Sequence, residues 1–255
     1  MTITDRLLAA LPGDATVQEI RIGAFWTAVV VKRDGKLRCG LAAALRGGDH
    51  HQSGHFPVRE AGHLLERSAL ELAGLLRSDS LLEASIGMAT TNALLEADET
   101  AMVELNAEDV IREKGSESRV AIVGHFPFIE RLRAEVEQMW VLEMRPGPGD
   151  LPAEAASEVI PQADVVAITS TTLINGTCED LLALCRPEAT VLLLGPSTPL
   201  SPLLFEHVDV LSGSLVDDVD TVLRLVSQGA TFRQIHRGGV RLVTMARQVS
   251  GSGDE

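Results

Sequence analysis

The sequence predicts an α/β chain in two parts: a small α+β unit over residues 1–115, then a doubly wound, Rossmann-like parallel sheet over residues 116–255. Three observations carry that expectation. Three strand-like runs precede helical patterns in the first part, strand and helix patterns alternate after Arg119, and a polar stretch, E-K-G-S-E-S from Glu113 to Ser118, separates the two regimes. At 255 residues the chain can bury a core in each part.

The elements follow in order. Thr4 is placed to cap a first helix carrying Leu7, Leu8 and Leu11 at helical spacing, stopped by Pro12-Gly13. Val17–Ile22, Phe25–Val31 and Arg38–Ala43 read as short strands, with Asp34-Gly35 as the hairpin turn of a small antiparallel sheet. From Glu60 to Arg77, apolar Ala61, Leu64, Leu65, Ala69, Leu72, Ala73, Leu75 and Leu76 mark one long amphipathic helix, and a second begins at Ser80 and reaches about Ala97. After the polar stretch come strand Val120–Val123, helix Pro127–Gln138 and strand Met139–Met144. A Pro-Gly-rich loop (Arg145–Pro152), a short helix (Ala153–Val159) and strand Val165–Thr169 follow. A helix near Thr177–Cys185, strands Thr190–Leu194 and His207–Leu211, helix Asp217–Gln228 and strand Val240–Met245 complete the pattern. Repeated β-α-β order implies a parallel sheet covered on both faces.

Composition narrows the function. A formal charge of −14 opposes nucleic acid as a partner, because such binding depends on Lys and Arg releasing counterions from phosphate. No apolar run has the length of a membrane span, and Met1-Thr2-Ile3-Thr4-Asp5 lacks the basic flank of a signal peptide, so the expected setting is cytoplasmic with no membrane partner. Cys39, Cys178 and Cys185 form no close pair, which suits reduced thiols.

In an open parallel sheet, ligands bind beyond the carboxyl ends of the strands. Two such ends stand out: Val165–Thr169 runs into Ser170-Thr171-Thr172-Leu173-Ile174-Asn175-Gly176-Thr177, and Thr190–Leu194 runs into Gly195-Pro196-Ser197-Thr198-Pro199. A third, Gly124-His125-Phe126-Pro127-Phe128, occupies the slot of a phosphate-binding turn but lacks G-x-G-x-x-G, so NAD is not the expected cofactor. Glu143 stands where a ribose-binding acid would sit, yet an acid at a strand end is more often simply solvated. His125 points toward the expected crevice and is a candidate metal donor or general base, set against a local packing role. Cys178 and Cys185 share a helix face with Leu181 and Leu182 and read as core; Cys178, near a helix start, is also a candidate metal ligand or nucleophile. His50, His51 and His55 form a loop cluster with affinity for transition metals but no fixed zinc spacing.

Ser85-Ile86-Gly87-Met88-Ala89-Thr90-Thr91-Asn92-Ala93, Val123–Pro127, Thr169–Thr177 and Leu194–Leu200, in that order, resemble the family described as putative heavy-metal chelation, whose members join an enolase-N-terminal-like domain to a Rossmann-like domain. The resemblance implies a site between the domains, with Asn92 facing His125, Thr171, Thr172, Asn175, Gly176 and Thr177. Phe126, Gly195, Ser197 and Thr198 lie in the same motifs, and the Thr177 and Ser197 turns would take anionic groups of the ligand. Hydroxyls, amides and one imidazole suit an oxygen-rich ligand better than a bare soft ion.

The reading is therefore a protein that holds a metal, or a small metal-binding molecule, in an interdomain cleft, with a divalent transition metal or a metal-bound organic cofactor as its cargo. The alternatives are a metal-independent enzyme acting on a nucleotide-like or carboxylated metabolite in the same cleft, and a structural or assembly protein. The partner set is a small-molecule or metal ligand and, for a homo-oligomer, a second copy of the chain.

Overall fold

The computed structural model describes residues 1–47, 57–96, 98–105 and 107–247. Helix α1 (Ile3–Ala9) begins after Thr2, not Thr4: the Thr2 hydroxyl accepts the Asp5 N–H while the Asp5 carboxylate accepts the Thr2 N–H. Strands β1 (Thr16–Ile22), β2 (Trp26–Arg33) and β3 (Lys36–Ala43) form the expected antiparallel meander. Asp34 and Gly35 both have positive φ, 51° and 77°, the twist that a two-residue hairpin needs.

The single helix expected over Glu60–Arg77 is broken. A tight turn at Leu64–Glu66 precedes helix α2 (Ala69–Ala73), and another tight turn, Gly74–Arg77, follows it. The break falls at Ser68, which exchanges capping bonds with Glu71 and so starts a new helix. Helix α3 (Leu81–Leu94) is buried on nearly every side and crosses β3 at Gly40, where a Cβ would lie 2.0 Å from the Ala89 carbonyl oxygen.

The polar stretch at Glu113 is not an open linker. Its first three residues form the last turn of helix α4 (Ala107–Gly115), whose Val110 and Ile111 pack with Val120 and Ile122 of the next strand. The segment before α4 is stitched to the far edge of the second sheet. Val103 bridges Thr244, and Arg241 pairs with Glu99 and Asp217.

Strand β4 (Arg119–Val123), helix α5 (Ile129–Leu132), strands β5 (Gln138–Glu143) and β6 (Leu151–Pro152), helix α6 (Ala156–Val159) and strand β7 (Val165–Thr169) come next. Helices α7 (Thr171–Ile174) and α8 (Cys178–Ala183), strands β8 (Thr190–Leu194) and β9 (Val210–Val216), helices α9 (Val219–Ser227) and α10 (Phe232–Arg237) and strand β10 (Val240–Ala246) complete the chain. Helix α5 is far shorter than the predicted Pro127–Gln138, since beyond Leu132 only Val136 offers an apolar anchor. Strand β9 extends past the predicted end because Ser212 bonds Thr244 and Ser214 bonds the Pro196 carbonyl, which satisfies both hydroxyls inside the sheet.

The seven strands run in the order β10-β9-β8-β7-β4-β5-β6, parallel except for β10 against β9. In order of appearance this is the doubly wound 3-2-1-4-5-6 arrangement with one antiparallel strand added, and its reversal point lies between β4 and β7. Side chains alternate between two cores. Val120, Ile122, Val165, Ala167, Leu192 and Leu194 face α4 and α5. Ala121, Val166, Ile168 and Leu193 face the other way, into a core shared with Val29, Val31, Leu72, Ile86 and Met88 of the first part. Burying each of the larger of these side chains contributes roughly 2 kcal/mol. One core therefore spans both sheets. A smaller cluster, including Ala28, Leu41, Val222, Val226, Ile235 and Val240, closes the other face of the meander with α9 and α10. Among the described residues no helix is long and apolar enough to cross a membrane.

Candidate functional site

The reversal point brings three loops together. Strand β4 ends at Gly124 (φ 102°) and β8 at Gly195 (φ 116°), and between them β7 ends in Thr169-Ser170. A Cβ on Gly124 would lie 3.0 Å from the Thr169 side chain, and one on Gly195 3.2 Å from Ser170 Oγ. Glycine on both flanks is what lets the neighbouring loops approach the end of β7 so closely. The expected adjacency of β4 with β7, and of β7 with β8, is present.

His125 stands at the mouth of this crevice with 53% of its side chain exposed, and its Nδ1 lies 3.2 Å from Asp150 Oδ2. The Asp150 side chain is only 3% exposed and also accepts the Gly147 N–H at 3.1 Å. A carboxylate can only accept, so this contact selects the Nδ1–H form of a neutral imidazole and leaves the Nε2 lone pair open to solvent. Ligating and proton-abstracting histidines are oriented in this way. Asp150 was missed in the sequence. Its signal was an acid closing a Gly-Pro-Gly turn, Gly147-Pro148-Gly149-Asp150, one residue before a strand.

The other predicted residues divide sharply. Phe126 stacks on Phe128, ring centres 5.2 Å apart and nearly parallel, and packs toward the α4/α5 core, so it serves the turn's structure. Thr171 Oγ1 lies 3.0 Å from Thr169 Oγ1, whereas the buried Thr172 hydroxyl donates to the Thr169 carbonyl at 2.7 Å. Asn175 Oδ1 accepts both the N–H and the hydroxyl of Thr177, with Gly176 (φ 77°) making the turn between them. The free end of that amide, Nδ2, points at Met144 Sδ, 3.9 Å away.

Ser197 and Thr198 are buried and already partnered. Ser197 Oγ accepts the Ala43 N–H at 2.8 Å, and Thr198 Oγ1 donates to the Gly195 carbonyl at 2.7 Å. The expectation that the Ser197 and Thr177 turns hold ligand anions meets hydroxyls already committed within the chain. Asn92 does reach the second sheet, but at β8 and not at the Gly124 turn: its Nδ2 donates to the Leu41 and Ser197 carbonyls at 3.0 and 3.1 Å. Two buried polar atoms here have no hydrogen-bond partner, Asn92 Oδ1 and Ser170 Oγ. Ser170 was not singled out in the sequence, since a serine between threonines gives no pattern of its own.

Cys178 packs in the core, as its apolar neighbours predict. It is buried, and burial pushes its thiol up to about 11; the same cause raises Cys185 to about 11 and Cys39 to about 12. Burial thus works against a free thiolate at all three positions. His50, His51 and His55 lie outside the described residues. Among the described residues no three His, Cys, Asp or Glu side chains converge in a way that could hold a metal ion. The described residues of the crevice therefore do not make a cage of carboxylates and thiolates for a bare ion.

Two family models match the chain, both described as "Putative heavy-metal chelation": DUF4213 over residues 4–95 and DUF364 over residues 106–245. An uncharacterized protein of Methanocaldococcus jannaschii is 24% identical over 254 residues, covering 94% of this chain and 93% of its own. A crystal structure of a DUF364-family protein of unknown function from Desulfitobacterium hafniense superposes with a TM-score of 0.80 at 29% identity, over 96% of this chain and 97% of that one. One from Pyrococcus horikoshii, also of unknown function, superposes with a TM-score of 0.79 at 18% identity, over 96% and 98% of the two chains. With one model matched over more than half of the chain and a second over the stretch before it, the chain belongs to the DUF364 family, whose description is "Putative heavy-metal chelation".

Proposed function

We propose that this protein binds a metal already held by a small organic chelator, in the cleft between its two parts, with His125 Nε2 as the protein's own ligand. The observation that carries the reading is the His125–Asp150 pair, an exposed imidazole oriented by a nearly buried carboxylate at the reversal point of the sheet. The chelator enters the argument because, among the described residues, no three His, Cys, Asp or Glu side chains converge, whereas a bare zinc-like ion needs three or four donors. The Thr169 and Thr171 hydroxyls at the next strand end suit the oxygen-rich rim of such a molecule. Asn175 borders the same loop, while Asn92 supports the site by tying α3 to the β8 loop.

The same pair favours one other reading, a metal-independent enzyme in which His125 is a general base toward a small metabolite. Elemental analysis with native mass spectrometry of freshly purified protein separates the two, because a copurified organic molecule without metal supports the enzyme.

The direct test is calorimetric titration with nickel held by nitrilotriacetate, a chelate with open positions for imidazole. The background carries His50→Ala, His51→Ala and His55→Ala, so that the loop contributes nothing. His125→Ala is expected to abolish binding at the site, and Asp150→Asn to weaken it by about 10- to 100-fold. Melting temperature should barely change in the His125 variant, since its ring is half exposed. Unaltered nickel binding after His125→Ala would sink the proposal.

A further inference from the structure

We propose that the thioether of Met144 is a second donor beside His125, which makes the crevice selective for a soft, low-coordinate ion such as copper(I) or silver(I). This rests on the His125 reading above and adds a ligand and a metal class to it. Three observations converge.

The first is register. Val123 of β4 lies beside Leu142 of β5, and the Gly124 N–H donates to the Leu142 carbonyl, so the parallel pairing continues past the strand end. Counted on in that register, residue 125 stands against residue 144, with the turn at Gly124 (φ 102°) between strand and histidine. The second is direction. β5 and β7 flank β4 on opposite sides, yet Met144, which follows β5, has its sulfur 3.9 Å from the amide of Asn175, which follows β7. That contact can form only across the end of β4, over the Gly124-His125 turn. The third is exposure. Met144 is 75% exposed; apart from Met1 at the chain start, which is 90% exposed, the other methionines are covered, Met88 and Met245 buried and Met102 and Met139 partly so. A large apolar side chain held out in solvent beside a polar crevice gains little from packing.

The chemistry is consistent. Thioether sulfur is a soft donor that prefers copper(I) over hard or borderline ions, and imidazole is compatible with the same metal. Both donors are neutral, so a monovalent ion brings one positive charge, which the adjacent Asp150 carboxylate balances. Asn175 positions the sulfur: its Oδ1 is fixed by Thr177, so its Nδ2 faces Met144 through a weak N–H···S contact that a metal can displace.

The experiment uses the full chain labelled with methyl-13C methionine and silver(I) nitrate in chloride-free buffer, silver being a redox-inert probe for copper(I). The Met144 signal is identified by its loss in Met144→Leu. Silver in excess over the three cysteines should shift the Met144 methyl, and His125→Ala should weaken that shift's dependence on silver at least tenfold. Titration of the unsubstituted chain with nickel nitrilotriacetate, which calls on the imidazole and needs no thioether, reads the chelate proposal separately. A Met144 methyl that does not move, or that moves equally well without His125, overturns the shared soft site while the nickel result stands on its own. Absence of nickel chelate binding alongside a His125-dependent silver shift would instead remove the chelate reading and keep this one.

Discussion

The loops on the two sides of the reversal point use similar residues to opposite ends. On the β7/β8 side, the Thr172 and Thr198 hydroxyls donate to carbonyls of their own loops and Ser197 Oγ accepts the Ala43 N–H of the first sheet, so these three hydroxyls serve the fold. On the β4/β5 side, His125 and Met144 stand in solvent, and only one face of each is held, by Asp150 and Asn175 respectively. A polar residue at a strand end is therefore not evidence of a site by its type. What matters is whether an atom remains both unspent and open to solvent, which the buried, unpartnered Ser170 Oγ and Asn92 Oδ1 are not.

That contrast can be broken by substitution. The largest effect is expected from Asn92→Ala, which removes two hydrogen bonds to carbonyls on opposite sides of the seam and should cost about 2–3 kcal/mol in denaturant unfolding. A loss of ligand affinity with unchanged stability would instead place Asn92 in the ligand's own contacts. Ser197→Ala is next: it leaves the Ala43 N–H without its acceptor, for a loss of about 1 kcal/mol. A stability-neutral Ser197 variant with impaired ligand binding would move the β8 loop to the functional side. The smallest effect is that of Ser170→Ala. Its hydroxyl has no partner, so thermal unfolding should show no loss, or a gain of up to about 1 kcal/mol. A clear destabilisation would show that the hydroxyl is bonded after all.

Much of the fold was legible because hydrophobic period and turn chemistry agree. The meander declares itself through Asp34-Gly35, and the parallel sheet through Val120–Val123, Val165–Thr169 and Thr190–Leu194, runs apolar on both faces because both are buried. The misreadings arose where two local signals competed. Leucine spacing over 60–77 outweighed the Ser68–Glu71 capping box that divides the stretch. The predicted strand stopped at Leu211, before Ser212-Gly213-Ser214, although a Cβ on Gly213 would meet Leu200 at 2.9 Å and the two hydroxyls find partners only once β10 and the β8 loop are in place. The site was half legible. His125 and its strand end follow from topology, but Asp150 is 25 residues downstream and Met144 is 19, and nothing local couples them to the imidazole. The fold supplies that coupling.

The core shared by the two sheets has a consequence for inheritance. Residues 4–95 and 106–245 are matched by separate family models, as if they were separable modules. Yet Val29, Ile86 and Met88 of the first stretch pack in one cluster with Val166, Ile168 and Leu193 of the second. A change of side-chain volume in either stretch is felt in the other, because close-packed interiors transmit strain. The two halves must drift together, and a gene split between them would leave each product with the other's footprint uncovered.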